Sequence, residues 1–182
     1  EKVAGFINEA YRIPYSFAGL IERTAQQQTL SRSGVEQAVY GTLQKNQLLS
    51  SMYAQFEPNG YDQLDDQNSE GQSHSVVGSG SLEIYVVRNN DGSIEQQQVE
   101  DSAEKYVATK DEFGIREAEW YLCAKDRKKP CLMEPYLYEI SPGNEELMTS
   151  LTVPVVVNQQ FKGVVGVDVC SKEGVLYVHH LE

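Results

Sequence analysis

The chain has 182 residues, with 27 acidic side chains against 15 basic ones and a formal net charge of −12. That length supports one ordinary domain with a sizeable core. The charge balance excludes nucleic-acid binding, which draws on clustered Lys and Arg, and docking on an anionic membrane surface. At 40% hydrophobic and 23% charged, the composition is that of a folded protein, neither disordered nor fibrous.

The charge is uneven. Residues 1–60 hold five acids and five bases, whereas residues 61–182 hold 22 acids and 10 bases, so the whole excess lies after residue 60. No run approaches the roughly 20 apolar residues of a membrane span. The chain begins in mid-pattern at Glu1 and ends on Leu181-Glu182, which resembles a cloning scar. It is therefore expected to be a segment of a larger protein.

Residues 2–33 read as a long helix: Ile7, Tyr11, Pro14, Ala18, Ile21 and Ala25 alternate spacings of four and three, the rhythm of a narrow apolar seam. Pro14 is expected to kink that helix or mark its ordered start. Ser31-Arg32-Ser33-Gly34 carries capping chemistry, and Val35, Ala38, Val39, Thr42 and Leu43 form a second helical face reaching about Leu49. After Leu49 the period becomes two. Residues 51–56 are a strand, 61–78 a polar loop, and 81–88 and 93–99 two strands joined by the turn Asn89-Asn90-Asp91-Gly92. Short helices are expected around 103–108 and 115–124. Strands follow at 131–140, 147–157 and 161–169, the last two turned by Asn158-Gln159-Gln160, with a short edge strand at 175–178. Sequential hairpins with helices inserted between them imply an α+β fold on an antiparallel sheet. The expected division is a helical stalk and support over 1–49, a ligand-binding module over 50–180, and the scar at 181–182.

Few residues here could carry catalysis. Asp66, Asn68, Glu70 and Gly71 match positions 1, 3, 5 and 6 of a calcium loop, but Val77 stands where the bidentate Glu belongs, so a solvated acidic loop is favoured and no metal is expected. Neither His74 nor His179 and His180 pairs with a Cys or Ser in a nucleophile pattern. Glu57 or Glu134 alone is no sign of a glycosidase. No enzyme and no cofactor is expected. Cys123, Cys131 and Cys170 lack zinc spacing; Cys123 and Cys131 are close enough for a small disulfide loop, and free thiols are an equal alternative.

The denser signal is aromatic. Trp120-Tyr121 precedes Pro135-Tyr136-Leu137-Tyr138, and Asp168 stands in the apolar run 163–169. Burying that carboxylate is costly unless a cation or hydrogen-bond donors compensate it. A plain buried aspartate taking backbone donors is one reading; aromatic faces around it forming an ammonium pocket is the other.

Taken together, Phe56-Glu57-Pro58-Asn59 with Tyr61-Asp62, Trp120-Tyr121, Glu134-Pro135-Tyr136, residues 148–154 (MTSLTVP) and residues 163–168 (GVVGVD) resemble the Cache sensor domains. These are the extracytoplasmic, PAS-like ligand-binding modules of bacterial methyl-accepting chemotaxis receptors and some sensor kinases. The resemblance implies a long N-terminal helix packed along a single PAS-like antiparallel module, with ligand held between the sheet and a helix–loop layer. Carried over from the amino-acid-sensing members, the ligand residues are Trp120, Tyr121, Tyr136 and Asp168, with Asp168 on the ligand ammonium. Those members place an Arg for the ligand carboxylate two residues before the Trp. Ala118 stands there instead, with Arg116 further upstream, which makes an amine as fitting a ligand as an amino acid.

The resulting expectation is a periplasmic or extracellular sensor domain of a membrane-anchored receptor. It binds a small amine, amino acid or similar polar metabolite and is able to pair through its first helix. The contrasting expectation is a secreted calcium- or carbohydrate-binding module or hydrolase fragment using the acidic loop.

Overall fold

The structure is a computed structural model that describes residues 2–134, 136–142 and 144–171. Two helices lead, α1 (Lys2–Gln27) and α2 (Arg32–Lys45), followed by strands β1 (Leu49–Phe56), β2 (Glu83–Arg88) and β3 (Ile94–Gln98). Helix α3 (Glu119–Arg127) precedes β4 (Cys131–Leu132), β5 (Tyr136–Ser141), β6 (Asn144–Val157) and β7 (Gln160–Ser171). All pairings described are antiparallel, in the order β3-β2-β1-β7-β6-β4, with β5 also on β6. The expected α+β architecture is the one observed.

Several boundaries differ from expectation. The first helix ends at Gln27, not residue 33, because Gln28 takes a left-handed φ of 50° and Thr29 N–H returns to the Thr24 carbonyl. Ser31 then caps α2, its side chain accepting from Gly34 N–H at 3.1 Å. Pro14 lies inside α1. The helix expected at 103–108 shrinks to a 3-10 turn at Glu104–Tyr106, and the one expected at 115–124 starts only at Glu119. Local turn chemistry wins at that point: Asp111 Oδ1 accepts from the backbone N–H of Phe113 and Ile115 and closes a loop bridged by Lys110 and Arg116. Both expected hairpin turns form, with Gly92 at φ 87° and Asn158-Gln159 at φ 51° and 65°. The edge strand expected at 175–178 lies outside the described residues.

Alternation gives the sheet two unlike faces. Met52, Ala54 and Phe56 of β1, Val165, Val167 and Val169 of β7, and Leu151, Val153 and Val155 of β6 point one way. They bury with Phe17 and Ile21 of α1 and Val35, Val39 and Leu43 of α2 in one core. The opposite face carries Ser51, Tyr53, Gln55, Ser150 and Asp168, and α3 packs on it through Tyr121 and Ala124 against Val164.

Under α2 sits a buried ion network. Arg32, 5% exposed, spans Asp62 (2.6 Å) and Asp65 (2.5 Å) and donates to Ser75 Oγ and the Gly80 carbonyl. It ties the start of α2 to the 61–80 loop, the same segment that partly resembles a calcium loop. Among the described residues no cluster of three metal-binding side chains occurs there. Removing one partner of such a pair strands the others. Arg32→Ala is therefore expected to cost about 3–5 kcal/mol in urea unfolding, and a loss under about 1 kcal/mol would mean that Asp62 and Asp65 find other partners.

Candidate functional site

The polar face of the sheet places three side chains in one row. Ser51 on β1 and Ser150 on β6 are the register partners of Asp168 on β7, so all three share a face at cross-strand distance. Both hydroxyls donate to the carboxylate, Ser51 to Oδ2 and Ser150 to Oδ1. A register shift between Leu49 and Ser51 lets Leu49 join the helix-side core while Ser51 turns to Asp168. Among the described residues no cation pairs with Asp168, which is 6% exposed. Burial pushes its carboxyl above the usual range, and the hydroxyls of Ser150 and Ser51 offset only part of that rise.

The next row up holds Tyr53, Gly166 and Thr152. A Cβ at Gly166 would fall 2.1 Å from the Tyr53 ring, so glycine is what lets that ring lie across β7. Tyr53 meets Trp120 edge-on at 5.3 Å and Tyr85 at 6.1 Å. These aromatics, with Ser150 and Asp168, wall a cavity of about 460 Å³ whose far side is Gln97 to Glu100 and Glu104. No lysine or arginine is among the described residues that line it. A second cavity, of about 490 Å³, adjoins the α1–α2 link, but Arg32 and Asp62 in its wall are already paired with each other. The first holds the Asp168 carboxylate, with which no cation pairs among the described residues, and is the candidate site.

Successive residues on a helix point about 100° apart, and α3 uses this to split its aromatic pair. Trp120 faces the cavity. Tyr121 is fully buried beneath it, edge-on to Phe161 at 5.5 Å, and its hydroxyl donates to Glu57 Oε2 at 2.6 Å. Of the four residues expected to hold a ligand, Trp120 and Asp168 thus meet in one cavity and Tyr121 supports Trp120 from below. The backbone of Tyr136 pairs with Met148 at the end of β5, and its side chain lies outside the described residues.

Arg116, the arginine nearest Trp120 in sequence, lies just before α3 and pairs with acids of that helix. Its guanidinium grips Glu119 (2.8 Å twice) and Asp126 (2.7 Å), which hold its pKa above the ordinary value. Cys123 and Cys131 are joined in a disulfide, which fixes the middle of α3 to β4. Ser51, Ser150, Tyr53 and Tyr85 were not singled out by sequence. Their only signal is strand alternation, which assigns them to one face without saying which one is covered by helices.

A PAS-like sheet sealed by helices on one face, and holding a partly covered cavity on the other, is the build of a small-molecule sensor module. The family model described as "Methyl-accepting chemotaxis protein-like, first PDC sensor domain" matches residues 35–173, and the chain belongs to that family. It is 25% identical over 138 residues to the methyl-accepting chemotaxis protein TlpQ of Pseudomonas aeruginosa, covering 76% of this chain and 19% of that protein. In fold it is similar to a solved methyl-accepting chemotaxis protein X, with a TM-score of 0.72 at 22% identity over 93% of this chain and 57% of that one. It is similar also to the periplasmic sensory domain of the Campylobacter jejuni chemoreceptor Tlp1, with a TM-score of 0.60 at 14% identity over 97% of this chain and 58% of that one. The chain thus spans about a fifth of its curated relative and somewhat over half of these solved chains.

A carboxylate whose pKa is raised on folding binds protons more tightly in the native state, so it stabilises below its unfolded pKa and that contribution is lost as pH rises through the folded one. Asp168→Asn keeps the shape and an acceptor for the serines while removing the buried charge. It is expected to raise the Tm at pH 7, with the gain narrowing as pH falls into the ordinary carboxylate range. A lower Tm at pH 7 would show that the two hydroxyls fully compensate the charge.

Proposed function

We propose that this chain is the ligand-binding part of an extracytoplasmic sensor in a membrane-anchored chemotaxis receptor, and that it takes a small molecule bearing an ammonium group without transforming it. The observation that carries the ligand class is Asp168, a buried carboxylate held by two serine hydroxyls in the wall of an aromatic cavity that also presents Glu100 and Glu104. An ammonium there would neutralise Asp168 and lie among the rings of Trp120, Tyr53 and Tyr85, where cation–π attraction adds about 0.5–2 kcal/mol. An α-amino acid would need a cation for its carboxylate, and Arg116 is committed to Glu119 and Asp126. An amine is accordingly favoured over an amino acid.

The Cys123–Cys131 disulfide supports the placement outside the cytoplasm, since such bonds persist in oxidising compartments. In the proposed receptor, residues 1–49 serve as stalk and support, and the remainder binds ligand. Tyr15 and Leu20, 59% and 45% exposed on α1, favour pairing of two copies through that helix.

A ligand that prefers the native state stabilises it, by about 2.7 kcal/mol at a hundred times its Kd. Thermal melts with n-butylamine, ethanolamine and 1,4-diaminobutane, set against butyrate, glycolate and succinate, are expected to show a rise with amines alone. Asp168→Ala is expected to abolish it. Trp120, the chain's sole tryptophan, gives an independent fluorescence signal. A rise with carboxylates, or one that survives Asp168→Ala, would overturn the assignment.

A further inference from the structure

The far wall of the cavity is a strip, residues 99–106, with an unusual means of attachment. From residue 99 to 110 the one buried residue is a lysine, Lys105, at 1% exposure. No fully buried apolar side chain anchors this stretch; its apolar hold is the half-buried Tyr106 ring, which meets Tyr121 edge-on at 5.7 Å. Its other anchors are polar. Lys105 Nζ sits 3.1 Å from Glu83 on the cavity-side face of β2, itself about 1% exposed. The neighbouring Tyr106 hydroxyl donates to Glu57, just past the end of β1. Glu57 also takes Tyr121 and, at 2.5 Å, Lys125 from α3, so one carboxylate grips both the strip and the helix that carries Trp120. The ammonium groups of Lys105 and Lys125 lie 4.8 Å and 4.6 Å from the Tyr106 ring centre, holding that ring as well. A tie between Ser102 and Ser79 is exposed. Glu104, next to the pinned Lys105, reaches the cavity together with Val99 and Glu100 of the strip.

We propose that Glu83 and Glu57, neither of which lines the cavity, hold this strip closed over it, which makes Lys105 and Tyr106 positioning residues for the ligand; for that last step the proposal rests on the ligand reading above. Buried ion pairs return little net stability compared with apolar contacts, but they are directional. A strip held by two consecutive charged or hydroxyl pins has a fixed register, and when the pins break it uncovers little apolar surface beyond the Tyr106 ring and the part of Tyr121 that the ring touches. Those are the properties of a cover that must open to admit a polar solute.

Two variants separate the pins. Tyr106→Phe deletes one hydroxyl and keeps the ring. Lys105→Met combined with Glu83→Gln removes the ion pair without stranding a charge. Hydrogen exchange of the whole chain is expected to accelerate about fivefold to tenfold over residues 99–106 in each variant, in line with one hydrogen bond lost, with residues 49–56 and 160–169 unchanged. Acrylamide quenching of Trp120 is expected to rise, and the Kd for n-butylamine to weaken by a similar factor. Unchanged exchange in both variants overturns the proposal. So does accelerated exchange with the n-butylamine Kd within about twofold of the wild type. A wild-type chain that ignores n-butylamine tells against the amine reading instead, and exchange and quenching, which need no ligand, then decide on the pins alone.

Discussion

The organisation of this domain follows from one constraint: a carboxylate, Asp168, stands in the middle of a central strand between two serines, with Val167 and Val169 on either side of it in sequence facing the opposite way. Because side chains alternate along a strand, a charge at that position can be solvated only on the face that the helices leave free. α1 and α2 seal the valine face into a continuous core. The other face must then stay polar near Asp168, and it does, with Ser51, Ser150 and Gln55 around it and a cavity in front. A register slip of one residue would drive Asp168 into the helix-side core and expose the valines. The charge in the candidate site therefore also specifies the sheet.

The same face changes character along its length. Near Asp168 it is hydrophilic, and one row further along β7 the missing side chain of Gly166 admits the ring of Tyr53. Beyond that, Tyr121, Ala124 and Val164 form a small second core under α3. This second core positions Trp120 while leaving it half-buried at the cavity. Burial pushes the Glu57 carboxyl up, but hydrogen bonds from Lys125, Tyr106 and Tyr121 outweigh that and hold it below the ordinary range, so it remains an anion at neutral pH. Burial, with Glu57 accepting their protons in hydrogen bonds, pushes Tyr106 and Tyr121 well up and keeps both as donors.

Much of this was legible in the sequence. Both hairpin turns and the capping sequence at Ser31 are local signals and produced the expected elements, whereas the strand expected at 131–140 is divided into β4 and β5. The helix expected at 103–108 failed because Lys105 and Tyr106 are committed to Glu83 and Glu57, some 20 and 50 residues earlier in the chain, and no local pattern encodes those partners. Asp168 and Trp120 were readable as site candidates because a charge in an apolar run and a lone tryptophan each stand out. Their serine and tyrosine neighbours were not, since Ser51 and Ser150 acquire meaning only once β1, β7 and β6 lie side by side. Glu57 is the instructive case. As one carboxylate in an acidic chain it carries no message, yet three donors from two different segments converge on it.

A sensor must also pass its state onward, and the two-faced sheet limits how. The strands that hold Ser51 and Asp168 on one face present Met52, Val167 and Val169 on the other, directly against the helices. A ligand acts on α1 only to the extent that it binds two arrangements of these strands with different affinity. In the proposed reading, an ammonium that neutralises Asp168 supplies that difference in energy, because burial disfavours its charge. Close packing on the valine face then converts any shift of β1 against β7 into a displacement of the helices, since a core at crystal-like density repacks in steps and does not stretch. The polar pins on the strip 99–106 sit on the ligand side of that linkage. They govern how readily the cavity is entered, whereas the helix-side core governs what the bound state does to α1.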